Sequence, residues 1–165
     1  MRPNNLEKLW QLAKNDAMHF EPVGLILQDI KNEGYESTPK NSLVFASTGG
    51  DGVHFSFLCD NFPNEKSPIV MTVPMNDDNI IVGENLLEFL ALGCRYGYFA
   101  LEQLSYDRDE TLSMLNKKEF WDDYTDFQKE LLEEISTAFL LKPWNDHAKR
   151  LSELDSMYLK QLIAK

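Results

Sequence analysis

Three glycines within four positions, Gly49-Gly50-Asp51-Gly52, stand between two short apolar runs, and they constrain the fold more than any other stretch. Glycine reaches positive φ without the clash that a Cβ brings, so the cluster reads as the tight turn of a hairpin. Residues 44–46 enter this turn and residues 53–58 leave it as strands. After the turn the side chains alternate: Val53, Phe55 and Phe57 are expected to face a core, with His54 and Ser56 pointing the other way. Such a hairpin commits the chain to a sheet.

The flanking sequence predicts what surrounds that sheet. A first helix is expected over residues 3–19, with Leu6, Leu9, Trp10, Ala13, Ala17 and Phe20 on one face and Pro22 ending it. Val23, Ile26, Leu27 and Ile30 suggest a second short helix over residues 23–30, closed by Gly34. Thr38-Pro39 then leads into the sheet in extended form. Residues 59–67 have loop chemistry, and Ile69-Val70-Met71-Thr72-Val73 reads as a strand placed near an edge by Pro68 and Pro74. Residues 76–79 form a turn and residues 80–82 a final short strand. Strands joined by short polar turns, with no long helix between them, form a mostly antiparallel sheet.

Beyond the sheet the pattern is helical. One helix is expected over residues 84–95 and a shorter one over 98–104. A long one follows, with the stripe Phe120, Tyr124, Phe127, Leu131, Ile135 and Ala138. Lys142-Pro143 stops it, and Asn145 or Asp146 caps a last helix with the stripe Ala148, Leu151, Leu154, Tyr158 and Leu162. With 165 residues and no repeat or linker, the expectation is a single α+β domain over residues 1–165. Its mostly antiparallel central sheet is flanked by N- and C-terminal helices.

Charge narrows the function classes. The formal net charge is −11, and residues 102–134 hold 11 acids against 4 bases, whereas residues 142–165 hold 3 acids and 5 bases. A chain this acidic repels nucleic acid and anionic membrane and attracts a basic protein; acidity also serves plain solubility. No apolar run approaches the ~20 residues needed to cross a bilayer. The first residues lead into an amphipathic helix rather than a signal peptide, so a cytoplasmic protein is expected. Cys59 and Cys94 lack a CxxC spacing and read as buried reduced thiols. His19, His54 and His147 are scattered, so neither a metal nor a cofactor is expected.

Several motifs fail on their chemistry. The Thr48–Gly52 glycines lack the lysine, the hydroxyl residue and the following helix of a phosphate loop. Asp107-Arg108-Asp109 starts like a calcium loop, but Leu112 and Lys118 hold the positions that require glycine and glutamate, so a helix cap is expected instead. Asp51 and His54 offer a carboxylate and an imidazole for acid–base work in a small hydrolase or transferase; the alternative is a structural turn. Gly49, Gly50, Asp51, Gly52 and His54 are therefore structural or ligand-facing. Glu119, Asp122, Asp123, Asp126 and Glu130 lie off the apolar stripe, as either a solvated face or a docking surface for a cationic partner.

The assembled pattern resembles the SUKH superfamily of bacterial immunity and cell-wall-regulator-related domains. Three segments carry the likeness: Phe45 to Phe55 through the glycine turn, Pro68 to Met75, and Val82 to Leu90 with its Phe89-Leu90 pair. The resemblance spans about Thr38 to Leu104 and implies an α+β fold with a central sheet flanked by helices. It also implies a non-enzymatic protein that binds and neutralises a polymorphic toxin, often a nuclease, with no catalytic residues to carry over. A regulatory or scaffold module would share the same surface chemistry.

Overall fold

The computed structural model describes residues 1–32 and 34–165. At its centre five antiparallel strands lie side by side in chain order: β1 (Ile26–Lys31), β2 (Ser42–Ser47), β3 (His54–Leu58), β4 (Ile69–Val73) and β5 (Asp78–Gly83). Helix α1 (Asn4–Leu12) precedes them. After them come α2 (Leu86–Leu92), α3 (Gln103–Tyr106), α4 (Arg108–Leu115), α5 (Asp126–Phe139) and α6 (His147–Tyr158). This is the α+β arrangement expected, with helices before and after an antiparallel sheet.

Register decides which side chains meet. Phe55 lies opposite Met71, and Met71 opposite Ile80, so Phe55, Phe57, Ile69, Met71, Val73, Ile80 and Val82 share one face. Leu6 and Leu9 of α1, Phe89 and Leu90 of α2, and Leu132 and Ile135 of α5 cover that face. Phe89 sits among Phe55, Tyr98 and Phe45, with ring centroids at 4.6, 5.3 and 6.0 Å. Full burial of each such side chain contributes about 1.5–3 kcal/mol.

The second face is covered as well. His54 and Ser56 point away from the core as alternation requires, yet both are buried. Leu58, Val70 and Ile81 meet Leu154 of α6, with Trp144 and Tyr158 beside them. Arg150 ties α6 down, reaching Glu88 at 2.5 Å, Glu84 at 3.2 Å and Glu153 at 3.3 Å. Glu88 also accepts from the Glu84 amide, while its own amide donates to the Asn85 cap of α2. One carboxylate thus anchors two helices.

Three local expectations are corrected. Residues 23–30 form no helix: a short 3-10 turn ends at Gly24 (φ +78°) and β1 follows. Val23, Gly24 and Leu25 are buried in the turn before the strand and only Leu27 is buried within it, so the helical spacing of Val23, Ile26, Leu27 and Ile30 is a coincidence. Strand β4 is paired on both sides and lies next to the edge strand β5, near the edge as expected, with Pro68 and Pro74 just outside the ladder, where no strand N–H is needed. Helix α1 stops at Leu12 rather than near His19, since Lys14 and Asn15 both take positive φ. The long helix starts only at Asp126, where Thr125 and Gln128 form a reciprocal capping box. Phe127 therefore faces outward at 58% exposure, and Ala148 of α6 is exposed while His147 is buried.

His147 gives the fold a pH dependence. It hydrogen bonds through Nδ1 to Asn116 Oδ1 at 2.8 Å and stacks on Trp144 at 5.7 Å. Burial lowers its pKa, an effect that Asp146 partly offsets. The unfolded chain then takes up the proton first, so this stabilisation is complete above the ordinary histidine pKa of about 6.5 and is lost as pH falls below it. The carboxyls of buried Glu102 and half-buried Asp155 act oppositely: their raised pKa values favour the fold toward acid, and that contribution is lost as pH rises through the carboxylate range. The urea midpoint should fall between pH 7.5 and 5.5, and His147→Gln should flatten that slope. A slope unchanged in the variant assigns it to other groups.

Candidate functional site

The glycine turn is built as a structural device. Gly49 and Gly52 take φ of +85° and +70°, as the sequence suggested, but Asp51 rather than Gly50 supplies the third left-handed residue (φ +51°). Aspartate tolerates this conformation better than most side chains. The Val53 amide donates to the Gly50 carbonyl, and the Gly50 amide to the Thr48 hydroxyl.

His54 belongs to the same construction. It is 2% exposed, its Nδ1 bonds the Gly52 carbonyl at 2.7 Å, and its Nε2 lies 3.1 Å from the Thr38 hydroxyl. A carbonyl only accepts, so Nδ1 carries a proton, and in the neutral ring Nε2 accepts from Thr38. Tyr35 stacks on the ring at 5.5 Å. Asp51 is exposed and faces the buried Glu102, whose carboxyl pKa is raised first by burial and then by the Asp51 charge. The geometry thus engages His54 with Thr38 and Gly52 and sets Asp51 beside a different group. It lends an acid–base pairing of the two no support.

The predicted acidic residues lie together at another place. Glu119, Asp122 and Asp123 are on the turn before α5, not on the helix itself, and Asp126 and Glu130 are on its first turns. All five are exposed, and none is in an ion pair among the described residues. Phe127 projects from the same segment, with Glu130 three residues on and therefore adjacent on the helix surface. Sequence periodicity had placed Phe127 in the core. Its run with Asp123, Asp126 and Glu130 was the available sign of an aromatic in an acidic field.

Between α4 and the 116–125 turn the surface is concave. A cleft of about 420 Å³ is lined by Tyr96, Glu110, Lys117, Trp121, Asp122 and Asp123 among others. Trp121 meets Tyr124 edge-on at 5.1 Å, and the Tyr124 hydroxyl donates to the Tyr96 carbonyl at 2.7 Å. The Trp121 amide donates to the Arg95 carbonyl, and the Arg95 guanidinium lies over Phe120 at 4.6 Å. These contacts hold the turn rigidly against the segment after α2. Tyr96, Glu110 and Trp121 were not singled out in the sequence, because Tyr96 joins the others only through the fold.

Among the described residues no group of three or more histidine, cysteine, aspartate or glutamate side chains is arranged to hold a metal ion. Cys59 and Cys94 are free; burial, and secondarily Asp60, push the Cys59 thiol up to about 11, so it is a weak nucleophile at neutral pH. No described helix is long and apolar enough to cross a membrane. No family model, curated protein or solved structure matches the chain.

Proposed function

We propose that this chain is a non-enzymatic binding protein that neutralises a toxin by docking its acidic face over the toxin's cationic working surface. The carrying observation is the set of five exposed carboxylates without ion pairs among the described residues, Glu119, Asp122, Asp123, Asp126 and Glu130, around the outward Phe127. Clustered like charge steers a basic partner and raises its on-rate, and an exposed aromatic supplies apolar contact area within that field. Carboxylates on such a face stand in for the phosphates that a nuclease binds, which blocks the approach of its substrate. The resemblance of residues 38–104 to SUKH immunity domains points to the same role, and the buried His54 favours binding over chemistry.

The test is affinity capture of the tagged chain from its native cells at low and then moderate salt. One stoichiometric partner bearing a toxin domain, with association slowing as salt rises, is the expected result. A clean column overturns the binding role. Capture of a cellular assembly without a toxin domain overturns the immunity role and leaves a scaffold.

A further inference from the structure

The cleft beside the acidic face combines aromatic surface, carboxylates and an unengaged tyrosine hydroxyl. Tyr96 is 4% exposed overall, and its hydroxyl, which makes no hydrogen bond to the described residues, is not sealed from the cleft and can meet an incoming donor. Its pKa is raised by burial first, then by the carboxylates of Asp122 and Glu119, so the hydroxyl lies within reach of that negative field and keeps its proton. Tyr96 and Trp121 contribute aromatic surface, and Glu110, Asp122 and Asp123 bring three carboxylates against the single cation Lys117. An anion is repelled there, and an apolar group would strand the carboxylates.

We infer that this cleft seats one arginine side chain of the basic protein partner, its guanidinium against Trp121 and between Asp122 and Asp123. Arginine fits better than lysine on three counts. Its planar head stacks on an indole, its five donors serve several carboxylates at once, and one remains for the Tyr96 oxygen. The cleft is pre-organised, since the Tyr124–Tyr96 hydrogen bond and the Trp121–Arg95 backbone bond fix both walls before binding. This inference deepens the docking role proposed above and rests on it.

The experiment titrates the capped peptide Ac-Gly-Arg-Gly-NH2 into the isotope-labelled full chain and follows its NMR spectrum. The citrulline peptide, similar in shape but uncharged, is the control. The arginine peptide is expected to shift the Trp121 indole and the amides of residues 117–123 saturably, and citrulline to leave them in place. Asp122→Asn with Asp123→Asn should weaken that response about tenfold, and Tyr96→Phe about threefold. Equal shifts with both peptides, or an arginine response that survives both variants, overturn the site. Arginine shifts confined to Asp126 and Glu130 also overturn it while leaving the wider docking face intact. A full arginine response beside a clean capture column supports the cleft and overturns the docking role instead.

Discussion

Replacing Asp122, Asp123 and Asp126 together by lysine should lower affinity for the captured partner by at least about a hundredfold at low salt. Each reversal removes an attraction and adds a repulsion, and like charges brought together across an interface cost several kcal/mol. The loss should shrink as salt rises, because these groups are exposed and screened over a Debye length of about 10 Å at 0.1 M. Folding should hardly change. Asp122 and Asp123 make no ion pair among the described residues, while Asp126 sits in the first turn of α5, where losing its charge costs about 0.3–1 kcal/mol. Reversal of the exposed Glu36 and Asp60, which lie in other parts of the chain, serves as a two-charge control. Unchanged affinity in the triple variant rules out the α5 face as the docking surface.

The largest effect on stability is expected at Gly24. It holds φ +78° where the 3-10 turn gives way to β1, and a Cβ there would lie 2.3 Å from the Phe99 amide nitrogen. Backbone cannot move aside as a side chain tip can, and the neighbouring Val23 carbonyl already accepts from the Tyr98 amide at 2.8 Å. Gly24→Ala thus combines left-handed strain of about 1–2 kcal/mol with overpacking of about 1–3 kcal/mol. The thermal midpoint should drop by roughly 6–12 °C for a loss of about 3 kcal/mol. Gly34→Ala is the contrast, since nothing lies within 4 Å of its Cβ position. If Gly24→Ala melts with the parent chain, the close crossing of residues 24 and 99 is not a fixed feature of the fold.

The hairpin, β4, β5 and the caps Asp107 and Asp146 were legible because each depends on local chemistry: glycine at positive φ, period-two alternation, or a side chain satisfying a helix amide. Strand β1 was not, because Val23, Ile26, Leu27 and Ile30 satisfy helical spacing, although Val23 lies in the preceding turn and only Leu27 of β1 is buried. Phe127 escaped for a related reason. The Thr125 capping box starts α5 after Phe120 and Tyr124, so those two residues no longer share a helical stripe with it. The acidic residues could be located by composition alone, but the cleft could not. Tyr96 is brought beneath Trp121 by packing between separate elements, and no spacing along the chain encodes that meeting.

The strictly sequential order of the strands bears on how the protein is made. Neighbours in sequence are neighbours in the sheet, so loop closure is cheap and pairing can proceed in the order of synthesis. The far face follows a different schedule, because Leu58, Val70 and Ile81 wait for Leu154 of α6. At roughly 5–20 residues per second, the chain between β5 and α6 takes about 3–13 s to be translated. For those seconds a nascent chain with its strands complete has no α6 over its far face, while its near face still waits for α2 and α5, and apolar sheet is open to a chaperone or to a second copy.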